Sequence, residues 1–399
     1  MPTTPVLVFN CGSSSVKYQV IDVDSEAVWA TGLVERVGEP QGGLTHRTGE
    51  RTETVEAPIP DHATALELVV QAFRDWGPDL GQVVAVGHRA VHGGERFRAP
   101  TIIDQSVIDG LTELIGLAPL HNPPNIIGIQ AARRALPQVP HVAVFDTAFF
   151  ATLPPEAHTY AIDRQLALAH GIRKYGFHGT SHAYVSGKVA QVLGRDLGDF
   201  DQIVCHLGNG ASISAVQGGV AVETSMGLTP LPGLVMGTRS GDIDPGVFAY
   251  LARVAGLDSG QVDELLNKSS GMAGLTGGLS DFRDIRARID QGDPDAQLAF
   301  DVYIHRLVAY IGSYLALLGG VDALSFTAGV GENDSFVRQA VCDRLAPLGF
   351  VLDPQANAVR SGQPRVISAS QSPVTILVVP TNEELALARD TVAAIGIRS

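Results

Sequence analysis

One pattern occurs twice in this chain and constrains its fold more than any other feature. The apolar run Val6–Asn10 leads into Cys-Gly-Ser-Ser-Ser and then a second run, Val16–Asp22. Deep in the second half, Gln202–Leu207 leads into Gly-Asn-Gly and then Ala211–Gln217. In both, glycine follows a polar strand end and small polar residues follow the glycine. Turns of that composition join antiparallel strands. Each hairpin opens a stretch in which strand-like and helix-like segments alternate, so the chain reads as α/β with two like domains. Its 399 residues exceed what one ordinary core accommodates, which supports the same division. If the repeat is structural, both glycine-rich tips can point into one cleft.

The remaining segments fit this scheme. Val28–Val37 and Leu44–Thr48 read as further strands, and Asp61–Trp76 has helical spacing. Gln82–Val91 is a buried strand running into a loop, Asn125–Leu136 a helix and His141–Phe149 another buried strand. The pattern resets near Pro154-Pro155, which places domain boundaries at 1–150, completed by a last helix over 383–399, and 151–382. In the second part Gly179–Gly194 is a helix stopped by glycine. Asp293-Pro294 is an N-cap and N1 pair opening a long helix that ends at Gly319-Gly320. Ala323–Gly329 and Val374–Val379 are strands, and Asp334–Leu345 and Asn382–Ile395 helices.

Net charge is −14, which argues against broad binding to nucleic acid or anionic lipid but leaves room for small anions held by local cations. No basic start followed by an apolar run marks a leader segment. The uncharged stretch Leu307–Val321 is short of a membrane span and reads as a buried helix. Cys11, Cys205 and Cys342 are far apart and odd in number, so neither a disulfide framework nor a metal spacing is expected, and a reducing cytoplasm is the natural compartment.

Polar loops follow the strands. Backbone N–H groups in the Gly12 turn, the hydroxyls of Ser13 and Ser15 and the ammonium of Lys17 suit phosphate oxygens. No Walker loop is present. Arg89 stands directly after a strand, where binding residues of α/β folds sit. His121 lies in a proline-rich loop. Asp146 ends an apolar run, placed to hold Mg²⁺, act as a base or orient an arginine. His178 precedes Gly179, Thr180 and Ser181, which either favour an anion at a helix start or cap it. Asn209, Gly210 and Ser212 make a second phosphate-type turn, and Arg239 lies in a glycine-flanked polar loop. "TAGVGEN" reads as a third glycine turn. Glu383 and Glu384 open the last helix, where dipole complementarity also favours acids. Two arginines, several histidines, an Asp and a Glu are an inventory for phosphoryl transfer, in which the protein mostly positions and neutralises.

The motifs "NCGSSSVK", "YGFHGTSH", "HLGNGAS", "GTRSGDIDPG", "SDFRDI", "FTAGVGEN" and "PTNEEL", in this order, resemble those of the acetate kinase family, in the acetate and sugar kinase, heat-shock chaperone and actin superfamily. The resemblance runs from about Val6 to about Ile395. It implies duplicated ribonuclease-H-like, actin-like ATPase domains with a nucleotide cleft between them, ATP and ADP as substrates, Mg²⁺ (or Mn²⁺) as the ion and a homodimer. It also implies reversible transfer of the ATP γ-phosphoryl group to acetate.

Carried over position by position, the family's active-site groups fall on Asn10, Arg89, His121, Asp146, His178, Arg239 and Glu383. The metal side falls on Asn10, Asp146 and Glu383. Val91, Leu120, Phe177 and Pro230 match the apolar niche for the acetate methyl. The nucleotide side falls on Ser13, Ser15, Lys17, His206, Leu207, Gly208, Asn209, Gly210, Asp281, Phe282, Arg283, Gly329, Val330, Gly331, Glu332 and Asn333. Lys17 either touches phosphate or braces the serine loop, and His121 either meets substrate or holds its loop. In one departure, this chain has Pro232 where the family usually carries an acidic residue. A propionate kinase and a hydroxyl kinase acting on sugar or glycerol are the enzymatic alternatives, and an ATP-gated binding protein the non-enzymatic one.

Overall fold

A computed structural model describes residues 3–397. The chain divides into two compact units, 1–151 with 382–399, and 152–381.

The first unit is built on an eight-stranded sheet. Strands β1 (Pro5–Cys11), β2 (Ser15–Asp22), β3 (Val28–Glu35), β4 (Gly42–Thr48) and β5 (Arg51–Ala57) form an antiparallel meander. On the other side of β1, β6 (Ala85–Ala90) and then β8 (His141–Phe145) run parallel to it. The short β7 (Thr101–Ile102) closes that edge antiparallel to β8. Alternation in β2 buries Val16, Tyr18 and Val20 beside Leu7 and Phe9, against Leu66, Val69 and Phe73 of the helix His62–Trp76. β8 is buried along its whole length, as expected of a parallel strand covered on both faces.

The second unit repeats the plan in a six-stranded sheet. β9 (Asp201–Leu207), β10 (Ala211–Gln217) and β11 (Val220–Thr224) form the meander. β12 (Ala323–Thr327) and β14 (Thr375–Val378) run parallel to β9, and β13 (Arg365–Val366) closes the edge antiparallel. The strand orders β3-β2-β1-β6-β8-β7 and β11-β10-β9-β12-β14-β13 are the same topology, and β4 and β5 are an addition to the first unit. The two turns that look alike in sequence therefore occupy equivalent places.

Local signals explain most boundaries. Asp61 and Asp293 cap their helices through side-chain oxygens. Gly194 and Gly319 end theirs in the left-handed conformation. The uncharged stretch lies mostly within the helix Pro294–Leu318, where Leu307, Ile311, Tyr314 and Leu318 are buried. No helix among the described residues is long and apolar enough to cross a membrane.

Two expectations are corrected. "TAGVGEN" is not an open glycine turn: Ala328–Asn333 forms a short helix directly after β12, and the Glu332 carboxylate accepts from Ala328 N at 2.9 Å. The proline-rich segment after His121 is also helical, because Pro123 and Pro124 sit in the first turn of Asn122–Ala135, where a missing N–H costs nothing.

The C-terminal helix, Glu383–Ala394, packs on the first sheet. A Cβ placed on Gly87 would lie 2.4 Å from Thr391 Oγ1 and 2.5 Å from Leu387 Cδ2, so glycine in β6 permits the approach. Gly87→Ala is expected to lower stability by about 1–3 kcal/mol in urea unfolding. On the same helix, burial pushes the Asp390 carboxyl up to about 6. The native state then holds a proton that the unfolded chain has already released, so stability falls as pH rises from about 4 through 6. Asp390→Asn should raise stability at pH 7, by at most ~3 kcal/mol, and leave it nearly unchanged at pH 4.

Candidate active site

In the first unit, functional side chains collect where β1, β6 and β8 end. β6 and β8 are in register with Arg89 opposite Val144 and Ala90 opposite Phe145, and Asp146 N donates to Ala90 O at 3.0 Å. Arg89 and Asp146 therefore emerge side by side. Arg89 Nε donates to Asp146 Oδ1 at 2.9 Å and Nη2 to Oδ2 at 2.7 Å. The carboxylate is buried, while the arginine side chain keeps 23% of its exposure. Burial opposes the Arg89 charge, but Asp146 outweighs it and holds the guanidinium firmly protonated. The bidentate pair uses both Asp146 oxygens and leaves Arg89 Nη1 over.

Asn10 and Lys17 are register partners across β1 and β2. With Arg89, Glu383 and Glu384 they line a small cavity of about 40 Å³. Burial raises the Glu383 carboxyl pKa; Arg89 and Lys17 oppose that, while Asp146 and Glu384 add to it. The hairpin tip is braced from behind: His62 Nε2 bonds Gly12 O at 2.7 Å, and Val37 N donates to Ser14 O at 3.0 Å. Ser13 is exposed and Ser15 half-buried.

Sequence reasoning missed Asn125. Buried in the helix Asn122–Ala135, it donates through Nδ2 to Cys11 O at 2.8 Å and accepts from Val91 N at 3.0 Å. It thus ties the hairpin to the chain just beyond Arg89 at the end of β6. No local pattern marks it, since both partners are distant in sequence. His121 is half-buried just before this helix, and Leu120 is 56% exposed.

In the second unit, three segments meet at the tip of the β9–β10 hairpin. His178 stands at the N-cap of the helix Gly179–Leu193 with φ +59°. Its ring stacks on His206 at 4.3 Å between centroids, and Nδ1 bonds Ser212 Oγ at 2.9 Å. A Cβ on Gly210 would lie 3.4 Å from His178 Nε2 and 3.6 Å from Arg239 Nη1, so both side chains converge on this glycine. Arg239 is half-buried and has no carboxylate partner among the described residues; Nη1 donates to Pro230 O at 3.2 Å. Burial lowers its pKa. A desolvated, uncompensated guanidinium is costly unless an anion joins it. Phe177 is buried behind His178. Near Pro232 the loop is held by Gly233 N donating to Asp242 Oδ1 at 2.8 Å and Leu228 N to Tyr160 OH at 2.9 Å.

An open cavity of about 690 Å³ adjoins the same tip. It is lined by Gly208, Asn209, Asp281, Phe282, Arg283, Gly329, Val330 and Asn333, all named from sequence, together with Gly237, Ser280, Arg286 and Arg360, which were not. Side-chain hydrogen bonds from Arg283 hold the Asp281 carboxyl down at about 2. His206, Leu207, Gly331 and Glu332 do not line it. Leu207 is buried, and Glu332 spends its carboxylate on Ala328 N and Thr381 N. Behind the short helix, buried Arg338 donates to Gly331 O at 2.8 Å and Glu332 O at 3.0 Å. A Cβ on Gly237 would meet Asn209 Oδ1 at 1.9 Å. Gly237→Ala should therefore turn the Asn209 side chain aside and weaken ADP binding by ~10-fold or more, about the worth of one charge-assisted hydrogen bond. Titration calorimetry would measure this, with an unfolding midpoint close to the unaltered chain's.

The family model of the acetokinase family matches residues 5–389. An acetate kinase of Leifsonia xyli subsp. xyli is 58% identical over 98% of this chain and 99% of its own length. A crystal structure of Porphyromonas gingivalis acetate kinase superposes with a TM-score of 0.94 at 43% identity, over 98% of this chain and 100% of that one. A propionate kinase from Francisella tularensis subsp. tularensis reaches 0.92 at 40%, over 97% and 99%. The two-domain actin-like ATPase fold follows from these likenesses, and the chain belongs to the acetokinase family.

Proposed function

We propose that this chain catalyses the reversible, Mg²⁺-dependent transfer of the γ-phosphoryl group of ATP to acetate, giving acetyl phosphate and ADP. The observation that carries this reading is the convergence on Gly210 of His178 Nε2 and of Arg239, which has no carboxylate partner among the described residues, beside a nucleotide-sized cavity. Full-length similarity to acetate kinases supports the choice of acceptor.

The acceptor argument also has a local basis. A carboxylic acid with pKa near ~4 is ionised at neutral pH and needs no base to attack phosphorus. A sugar or glycerol hydroxyl would need one. Asp146 is the natural candidate, and both its oxygens are committed to Arg89. What the reaction requires is relief of repulsion between two anions. Arg89, with Nη1 left over, serves the acetate carboxylate and the incoming phosphoryl group. Arg239 stabilises the equatorial oxygens in flight, and His178 donates a hydrogen bond to them. Asn209, Gly208 and the residues around Asp281–Arg283 and Gly329–Asn333 hold the nucleotide. By the match to the family's motifs, Val91, Leu120, Phe177 and Pro230 would supply the apolar groups around the acetate methyl.

Asn10 and Glu383 would hold Mg²⁺, with Asp146, whose two oxygens keep Arg89, acting on it largely by way of water. Their hard oxygen donors fit it, and Glu383 is a half-buried carboxylate beside further acids. Among the described residues no three carboxylate, histidine or cysteine groups gather as a metal site; Mg²⁺ commonly keeps several waters and phosphate oxygens. When bound, the ion offsets charge on the nucleotide phosphates. We further propose a cytoplasmic homodimer; the three buried free thiols accord with a reducing compartment.

The direct test is hydroxylamine trapping of acyl phosphate with ATP, Mg²⁺ and, in turn, acetate, propionate, butyrate and glycerol. Acetate should give the highest rate, propionate a lower one and glycerol none, since a methylene changes selection by only ~1–3 kcal/mol. Propionate exceeding acetate would favour the propionate kinase reading. Arg239→Ala should lose ~10³-fold in kcat. Glu383→Gln should raise the Mg²⁺ concentration needed for half-maximal rate; an unaltered requirement would remove it from the metal set.

A further inference from the structure

Behind His178 lies a hydrogen-bonded chain that the proposed reaction does not by itself explain. Ser212 Oγ sits between His178 Nδ1, at 2.9 Å, and His182 Nε2, at 2.8 Å. His182 Nδ1 in turn meets Ser214 Oγ at 2.8 Å. Ser212, Ser214 and His182 are fully buried. Ser212 and Ser214 are alternate residues of β10, so they share one face of the sheet, and His182 comes from the first turns of the helix His178 caps.

Direction along this chain is not free. A hydroxyl has one proton, and a neutral imidazole has one N–H and one acceptor nitrogen. Burial, with His206 adding to it, keeps His182 neutral. Two continuous donor orders fit these three distances. In one, Ser214 donates to His182 Nδ1, His182 Nε2–H donates to Ser212, and Ser212 donates to His178 Nδ1. In the other, every bond is reversed. The first places the His178 proton on Nε2, the nitrogen that shares Gly210 with Arg239. The second turns a lone pair toward the phosphoryl oxygens, which are acceptors only.

We infer that Ser214, His182 and Ser212 are positioning residues that set the hydrogen on His178 Nε2 rather than Nδ1, so that a donor already faces the transferring group. Stacking on His206 fixes the plane of the ring, and the hydroxyl chain fixes which nitrogen carries the proton. The choice between the two orders rests on the phosphotransfer reading, while the tautomer itself can be measured without substrate.

The experiment combines ¹⁵N-histidine NMR of the unaltered full chain with kinetics. His178 should show an unprotonated Nδ1 and a protonated Nε2, whereas a protonated Nδ1 overturns the inference. This measurement needs no variant and no substrate, so it stands even where an altered chain fails to fold. Ser212→Ala should lower kcat by at least ~10-fold, short of the ~10²–10³-fold loss that follows removal of a transition-state donor itself. KM for ATP and for acetate should stay within about 2-fold, because ground-state binding is untouched. Ser212→Thr, which keeps the hydroxyl, should restore most of the rate. An unchanged kcat in Ser212→Ala, or a Thr variant as impaired as the Ala variant, overturns the inference. Failure of the unaltered chain to form any acyl hydroxamate would instead overturn the function proposed above.

Discussion

Parallel register at the sheet centre is the constraint on which the rest depends. In each unit the first strand of the meander is also the first of three parallel strands, so three carboxyl ends open on the same edge. Ligands of open α/β sheets bind at that edge because strand ends release loops there. In the first unit Asn10, Arg89 and Asp146 are the residues found at these ends, and in the second the Gly208–Gly210 turn and the Ala328–Asn333 helix. A shift of one residue between β6 and β8 would separate Arg89 from Asp146 and leave a carboxylate buried without a partner.

The two arginines solve opposite problems. Arg89 is held by a buried carboxylate in bidentate geometry, so its direction is set before any ligand arrives. Arg239 has a backbone carbonyl for company and no counter-charge among the described residues. One is preorganised and neutralised; the other is desolvated and unneutralised. A guanidinium of the first kind has its direction fixed in advance, and one of the second kind gains most from an incoming anion.

Residues that support the site act from behind it. Asn125 joins the Cys11 and Val91 segments, Arg338 holds the end of the Ala328–Asn333 helix, and the Ser214–His182–Ser212 chain meets His178. Each is buried and spends its polar atoms on groups outside its own turn of helix or strand. Their burial makes the bonds directional and costly to leave unmade.

Much of this was legible in one dimension. Hairpin turns, the Asp61 and Asp293 caps, the glycine stops at Gly194 and Gly319 and the apolar strands are local, because a few neighbouring residues determine them. Polar residues just past apolar runs marked Asn10, Arg89, Asp146, Asn209 and Glu383 for the same reason. β5 escaped notice because "RTETVEA" alternates polar with polar at an exposed sheet edge and lacks an apolar period. "TAGVGEN" looked like a turn because glycine chemistry hides a short helix whose Ala328 N–H is satisfied by the Glu332 carboxylate one turn on. Only the folded chain decided that Asp146 belongs to Arg89, that Arg239 goes without a counter-charge, and that His178 is backed by His182 and two serines. Those are pairings across strands and between distant segments, and no window of sequence contains both members.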